Sequence, residues 1–410
     1  PGQERQIQKG WLNAGQILQL KFFRQPFNFS YPLPEGQELR IKLEPVDVIS
    51  YVPIMPSTRA QVEYVKMSYG DSFLKDQPEY GVSHQENDIL IFHITAEDLK
   101  KTILMLKLYT IEPGSDFVRL VGFEKIYGCQ FAEKSEGSYS TQLLSPVWLN
   151  SIGTLQLEYV VINPLPSRVP VDMHSSFVQY WRDSWNIMDL GHRGLGKSLK
   201  MATNAAPMIE NTVGSMKASG ELGAEFVEFD VMLTKDEIPI IFHDYYVYVC
   251  LDSKTPTSVN DLTQVLIKDV TYEQLKDLKT FQVVNSKLVE YPSHNTEKVE
   301  DNRLFPLFSD FLTKVNKSVG FDIEIKWPQL KANGQYESNQ TIDKNLYIDR
   351  ILEVMYEHGC GRFSFFTCFD ADICSMLRYK QNMYPVMFLS SSKEKNFADP
   401  RSDTIYDSIN

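Results

Sequence analysis

Cysteine is scarce in this 410-residue chain: Cys129, Cys250, Cys360, Cys368 and Cys374 are five, an odd and scattered set. Such a set excludes a disulfide framework and reads as free thiols in a reducing compartment, so a cytoplasmic location is expected. No CxxC pair suggests zinc. No apolar run reaches transmembrane length, and the first residues, PGQERQIQKG, are polar, unlike a secretory signal. The chain starts at Pro1 without a Met, so a preceding piece is expected. Basic charge is also in short supply: 41 Lys and Arg stand against 53 Asp and Glu, a net charge of −12. That deficit excludes a broad nucleic-acid-binding surface, which needs clustered cations. The runs KDLK and SKEK are too short to reverse it and read as solvated faces. No GxSxG elbow occurs, and GLGKS (194–198) lacks the first Gly of a Walker-type loop at the needed spacing.

Apolar residues are not lacking. Hydrophobic content of 43% with 23% charged residues allows a large core, over a length that suggests two domains. In the first part, 16–23, 39–48, 88–94, 102–111, 117–127 and 153–162 alternate apolar and polar residues near period two, separated by Pro, Gly, Asn and Ser. This predicts an all-β sandwich over residues 1–166. The Pro-bearing stretch NPLPSRVPVD (163–172) marks a connection, assigned to 167–186. From 187 to 410 short apolar strands alternate with helical stretches. The strands are predicted at 187–192, 226–231, 239–243, 319–326, 362–368 and 384–390. Helices are predicted at 211–222, 307–317, 345–359 and 370–381. Repeated strand–helix alternation predicts a parallel sheet of barrel type. The polar segment 252–304 reads as a long insertion of loops with one short helix near 272–279.

The stretch GAEFVEFDVMLTKDEIPIIFHD (223–244) sets acids inside a strand pattern. Positions i and i+2 share a strand face, so Glu228 and Asp230 point one way and Phe229 the other. Asp322, Glu324 and Lys326 likewise share a face, with Ile323 and Ile325 opposite. Clustered carboxylates repel one another unless a hard cation neutralises them, and oxygen-only ligands suit Mg²⁺ or Ca²⁺. Glu228, Asp230 and Glu324 are therefore a candidate metal site. His192 and His243 close two of the predicted strands and form a candidate acid–base pair. His84, His93, His174, His294 and His358 read as ordinary structural histidines. Arg193 and Lys326 supply cations suited to phosphate oxygens, or to neutralising the acids. Together these groups describe phosphoryl-ester cleavage better than acyl transfer.

GHRG (191–194), ENT (210–212) with Ser215, the 223–244 stretch and EIK (324–326) together resemble the glycerophosphodiester phosphodiesterase family. VGFDIEIKW (319–327), CFDADIC (368–374), GWL (10–12) and INPLP (162–166) resemble its glycerophosphocholine branch. The resemblance implies a TIM barrel preceded by a C2-like β-sandwich, with a starch-binding-type carbohydrate module further upstream. It implies His192 and His243 as the catalytic pair and a metal on Glu228, Asp230 and Glu324. Arg193 and Lys326 would contact phosphate, while Glu210 and Asn211 would shape the loop after the first strand, lengthened here by LGKSLKMATNAAPMI (195–209). Six barrel strands are counted, so the (β/α)8-type domain is expected to be incomplete at its C-terminus. The expected reaction is metal-dependent hydrolysis of a small glycerophosphodiester, foremost glycerophosphocholine, to glycerol 3-phosphate and choline. The rival readings are a lysophospholipase D or sphingomyelinase-like activity, and a non-catalytic interaction protein.

Overall fold

The computed structural model describes residues 12, 14–32, 36–46, 60–67, 73–112, 114, 117–169, 171, 176–179, 181, 188–195, 208–250, 256–284, 287–291, 300–359, 361–390 and 397–402. The chain divides into two compact units. One comprises Pro1–Leu165, Ser390–Lys395 and Asp399–Asn410, the other Pro166–Leu389 and Asn396–Ala398. Much of the stretch assigned as a connection, 167–186, lies outside the described residues, as do 196–207, 251–255, 292–299 and 403–410.

The first unit is one large antiparallel sheet. Its strand order is Lys75–Asp76, Ala60–Lys66, Ile89–Ala96, Gln16–Phe23, Ser151–Ile162, Glu136–Leu144, Val118–Tyr127, Ile103–Ile111, Glu38–Val46 and Val82–His84. Phe27–Phe29 also pairs with Ser151–Ile162. The six strands predicted from alternation are all present. Ala60–Lys66 and Glu136–Leu144 escaped that pattern: EGSYSTQLL carries too few apolar residues to show a period of two. Leu18, Leu20 and Phe22 lie level with Ile94, Phe92 and Leu90 on the neighbouring strand. All six side chains are fully buried in one core, each contributing about 1.5–3 kcal/mol by leaving water.

In the second unit, Leu190–His192, Phe226–Leu233, Gly320–Ile325, Ser364–Cys368 and Val386–Phe388 are parallel and adjacent in chain order. Helices Val213–Glu221, Phe308–Lys314, Lys344–His358 and Ala371–Lys380 lie between them in sequence. Parallel strands laid down in chain order are the winding of a TIM-barrel domain. Apolar strand residues face the helices: the Phe229 ring lies 4.8 Å from Phe311 and 6.0 Å from Phe308. The opposite strand face is left for the polar residues.

Two expectations need correction. The stretch 239–243 does not join the parallel set. Pro239–Ile241 returns antiparallel along Phe226–Leu233, with Val231 level with Ile241. The five linking residues TKDEI (234–238) are too few for a crossover helix, and a parallel return requires one. Five of the six predicted strands are therefore parallel. The insertion is also not mere loop. Besides the expected short helix, Tyr272–Asp277, its strands Thr263–Leu266, Thr280–Val284 and Lys287–Glu290 join Tyr246–Val249, which precedes it, in a four-stranded antiparallel sheet. Its strands are only 4–5 residues long, too short for periodicity to reveal.

Candidate active site

Register brings the acids together. His192 is level with Glu228, Glu228 with Asp322 and Asp230 with Glu324. Alternation then sets four carboxylates in two rows on one face. Glu228, Asp230 and Glu324 each present an oxygen within 4.8 Å of the others. Asp322 shares the lower row with Glu228, and one of its oxygens accepts a 2.7 Å hydrogen bond from the Thr367 hydroxyl.

Cations and donors surround this cluster. Lys326 donates to Glu324 at 2.8 Å and stands 3.5 Å from Asp230 Oδ1. Arg193 Nε lies 3.4 Å from Asp230 Oδ2, and the same guanidinium donates to Glu210 at 3.2 Å. The Arg193 backbone N–H donates to Glu228 Oε2 at 2.9 Å, and His192 Nε2 lies 3.7 Å from that oxygen. This closeness requires a tight turn after the first strand. Arg193 and Gly194 adopt left-handed backbone angles, φ 54° and 70°. A Cβ on Gly194 would come within 2.7 Å of the Ser215 backbone, so glycine is needed there. The Ser215 hydroxyl donates to the Arg193 carbonyl at 3.3 Å, which ties the turn to the helix Val213–Glu221.

His243 was expected to end a strand. It lies instead two residues past Ile241, and the Phe242 N–H between them donates to the Asp230 carbonyl at 3.0 Å. That bond anchors the His243 loop beside the acids. His243 Nδ1 donates to Asp244 Oδ1 at 2.6 Å, which fixes the ring and leaves Nε2 for chemistry. Tyr245 turns back so that its ring lies 5.9 Å from Lys326 Nζ.

Burial and mutual repulsion dominate the protonation of the cluster. Burial, then the Asp230 charge, push Glu228 up to about 9, against the pull of the Arg193 N–H. Burial pushes Asp322 up to about 7, while the Thr367 hydrogen bond opposes it. Burial alone would lower Lys326, but Asp230 and Glu324 outweigh it and hold the ammonium above its ordinary value. Burial and then Arg193 lower His192. Its side chain is 70% exposed, so water screens both effects. Glu228 Oε1 and Asp230 Oδ1 are buried and accept no hydrogen bond. Such orphaned oxygens are costly unless a partner is supplied. Three carboxylates with two unsatisfied oxygens fit a hard divalent cation.

Every residue proposed for the site except His243 therefore contacts another member directly, and His243 is held beside Asp230 by the backbone. The sequence reading gave no role to Asp322, Asp244, Tyr245 or Thr367. Asp322 had a signal, since it precedes Glu324 by two in the same alternation, and Asp244 adjoins His243. Thr367 had none: only strand register sets it against Asp322.

A β/α barrel whose inner strand face gathers carboxylates, two histidines and two cations defines a metal-assisted phosphoryl-transfer class of enzyme. The sequence matches the Glycerophosphoryl diester phosphodiesterase family over residues 192–410, and the chain belongs to that family. It is similar to the glycerophosphocholine phosphodiesterase GPCPD1 of Homo sapiens, with 33% identity over 78% of this chain and 48% of that protein. It is also similar to the glycerophosphocholine phosphodiesterase GDE1 of Candida albicans, with 28% identity over 66% of this chain and 26% of that one. The chain spans about half the length of the human relative it matches. A solved Oleispira antarctica phosphodiesterase in complex with sn-glycerol-3-phosphate is 20% identical, over 50% of this chain and 66% of that one, with a TM-score of 0.34.

Proposed function

We propose that the chain hydrolyses glycerophosphodiesters, glycerophosphocholine foremost, to glycerol 3-phosphate and choline. The observation that carries this reading is the trio Glu228, Asp230 and Glu324, with two buried oxygens unsatisfied, bracketed by Arg193 and Lys326. The names of the curated relatives point to the same substrate. A Mg²⁺ or Ca²⁺ ion held by the trio would supply positive charge to the phosphate oxygens. Arg193 and Lys326 bind and orient the phosphodiester as fixed cations. His192, lowered from its ordinary value, is the base that takes the proton of the attacking hydroxyl, from water or from the substrate's own glycerol. His243, with Nδ1 fixed by Asp244, protonates the departing choline oxygen from Nε2 as the phosphorus–oxygen bond breaks.

The same reading assigns residues 187–410 to the catalytic domain, 167–186 to a linker and 1–166 to a C2-like sandwich. In support, the ladder of the large sheet between Glu136–Leu144 and Val118–Tyr127 is reduced to the single Leu144–Phe123 pair, as if two sheets met at a corner. A cytoplasmic location and an upstream carbohydrate-binding module complete the proposal. Among the described residues no helix is long and apolar enough to cross a membrane.

Choline release from glycerophosphocholine by the purified protein tests the reading. It is expected with Mg²⁺ or Ca²⁺, to vanish on chelation, and to fall at least about 100-fold in Glu324→Gln. Cation-independent release, or release only from lysophosphatidylcholine, would overturn it.

A further inference from the structure

The two oxygens of Asp230 have different surroundings. Asp230 is fully buried. Its Oδ2 accepts from the Asn211 side-chain amide at 2.9 Å and faces Arg193 Nε at 3.4 Å. Its Oδ1 accepts no hydrogen bond and faces Lys326 at 3.5 Å. Asn211 also receives the Asp230 backbone N–H on its own Oδ1 at 3.4 Å. The amide thus grips both the backbone and one carboxylate oxygen of the same residue.

Asn211 is held for this task. It is 4% exposed and sits at φ 58°, a left-handed conformation that asparagine tolerates better than most residues. Its own N–H donates to the Arg193 carbonyl at 3.2 Å, so the turn after the first strand and the loop before the helix Val213–Glu221 lock each other. A residue that fixes a carboxylate by one oxygen leaves the other at a set angle.

We infer that Asn211 is the positioning residue that selects Asp230 Oδ1 as the oxygen offered to a hard divalent cation. The inference rests on the metal-dependent reading above and deepens it. Without the amide, Asp230 can rotate about its Cβ–Cγ bond, trade Oδ1 for Oδ2 and turn toward either Arg193 or Lys326. The cation would then meet a carboxylate no longer set in place.

Calorimetric titration of Mg²⁺ and Ca²⁺ into the substrate-free protein tests this. Asn211→Gly keeps the left-handed backbone at no steric cost and removes the amide. Asn211→Ser retains a small polar side chain that cannot reach as far. Both are expected to weaken cation binding about 10- to 100-fold. Thr212→Ala is the control: it removes the cap whose hydroxyl accepts from the Ser215 N–H at 3.2 Å without touching Asp230. It is expected to lower the melting temperature yet leave the dissociation constant within about twofold. If both Asn211 variants bind the cation as tightly as the parent, or if Thr212→Ala weakens binding equally, the positioning role is wrong. If the parent binds neither cation, the metal-dependent function itself fails.

Discussion

Both units bury polar groups on strand faces, but they treat them differently. In the antiparallel unit, His93 is 3% exposed and burial lowers it to about 4. Its Nδ1 lies 3.3 Å from the Gln19 amide nitrogen. Gln19 Oε1 there is buried without a donor, but it is a neutral amide; in the parallel unit, the buried groups with an oxygen left open are the carboxyls of Glu228 and Asp230, which repel one another. A buried titratable group alone does not mark a site. Like charges gathered against their own repulsion, with oxygens left open, do.

The largest effect that sharpens this contrast comes from the histidines. His243→Ala is expected to cut choline release about 10²–10⁴-fold with the fold intact. His93→Ala is expected to leave turnover unchanged and cost about 1–3 kcal/mol in denaturant unfolding. If His93→Ala also abolished turnover at full stability, the distinction between the regions would break.

Arg362 gives a second test inside the parallel unit. Its buried guanidinium donates to the carbonyls of Leu312, Val315, Asn316 and Val319 at the end of the helix Phe308–Lys314. It lies 4.1 Å from the Phe321 ring. These carbonyls take both terminal nitrogens and leave only Nε without a partner, so Arg362→Met is expected to destabilise by about 2–4 kcal/mol. Cation affinity measured by calorimetry is expected to remain at the parent value.

The smallest effect concerns pH. Glu228 holds its proton up to about 9 in the fold but only to the ordinary carboxylate range when unfolded. The folded state thus binds more protons between those values, and stability must fall as pH rises through that window. Without cation, the melting temperature is expected to drop by a few degrees from pH 6 to 9. With saturating Mg²⁺ or Ca²⁺ the drop is expected to shrink, because the cation replaces the proton. An identical drop in both conditions, followed by scanning calorimetry, would show that the acid cluster is not where the cation binds.

Composition and local pattern already determined much. Strand alternation in 226–231 and 319–326 placed Glu228, Asp230 and Glu324 on one kind of face, since side-chain direction along a strand is a local property. Helix boundaries fell within a few residues of observation, as at Lys344–His358, where Asp343 caps the first turn. What the chain could not announce locally is which strands lie side by side and how far each slides along its neighbour. The antiparallel return of Pro239–Ile241 is a local hairpin, but Thr367 beneath Asp322 and the grip of Asn211 on Asp230 depend on pairings between segments far apart in the chain. Such pairings arise from the packing of the whole unit, and no window of sequence holds both partners.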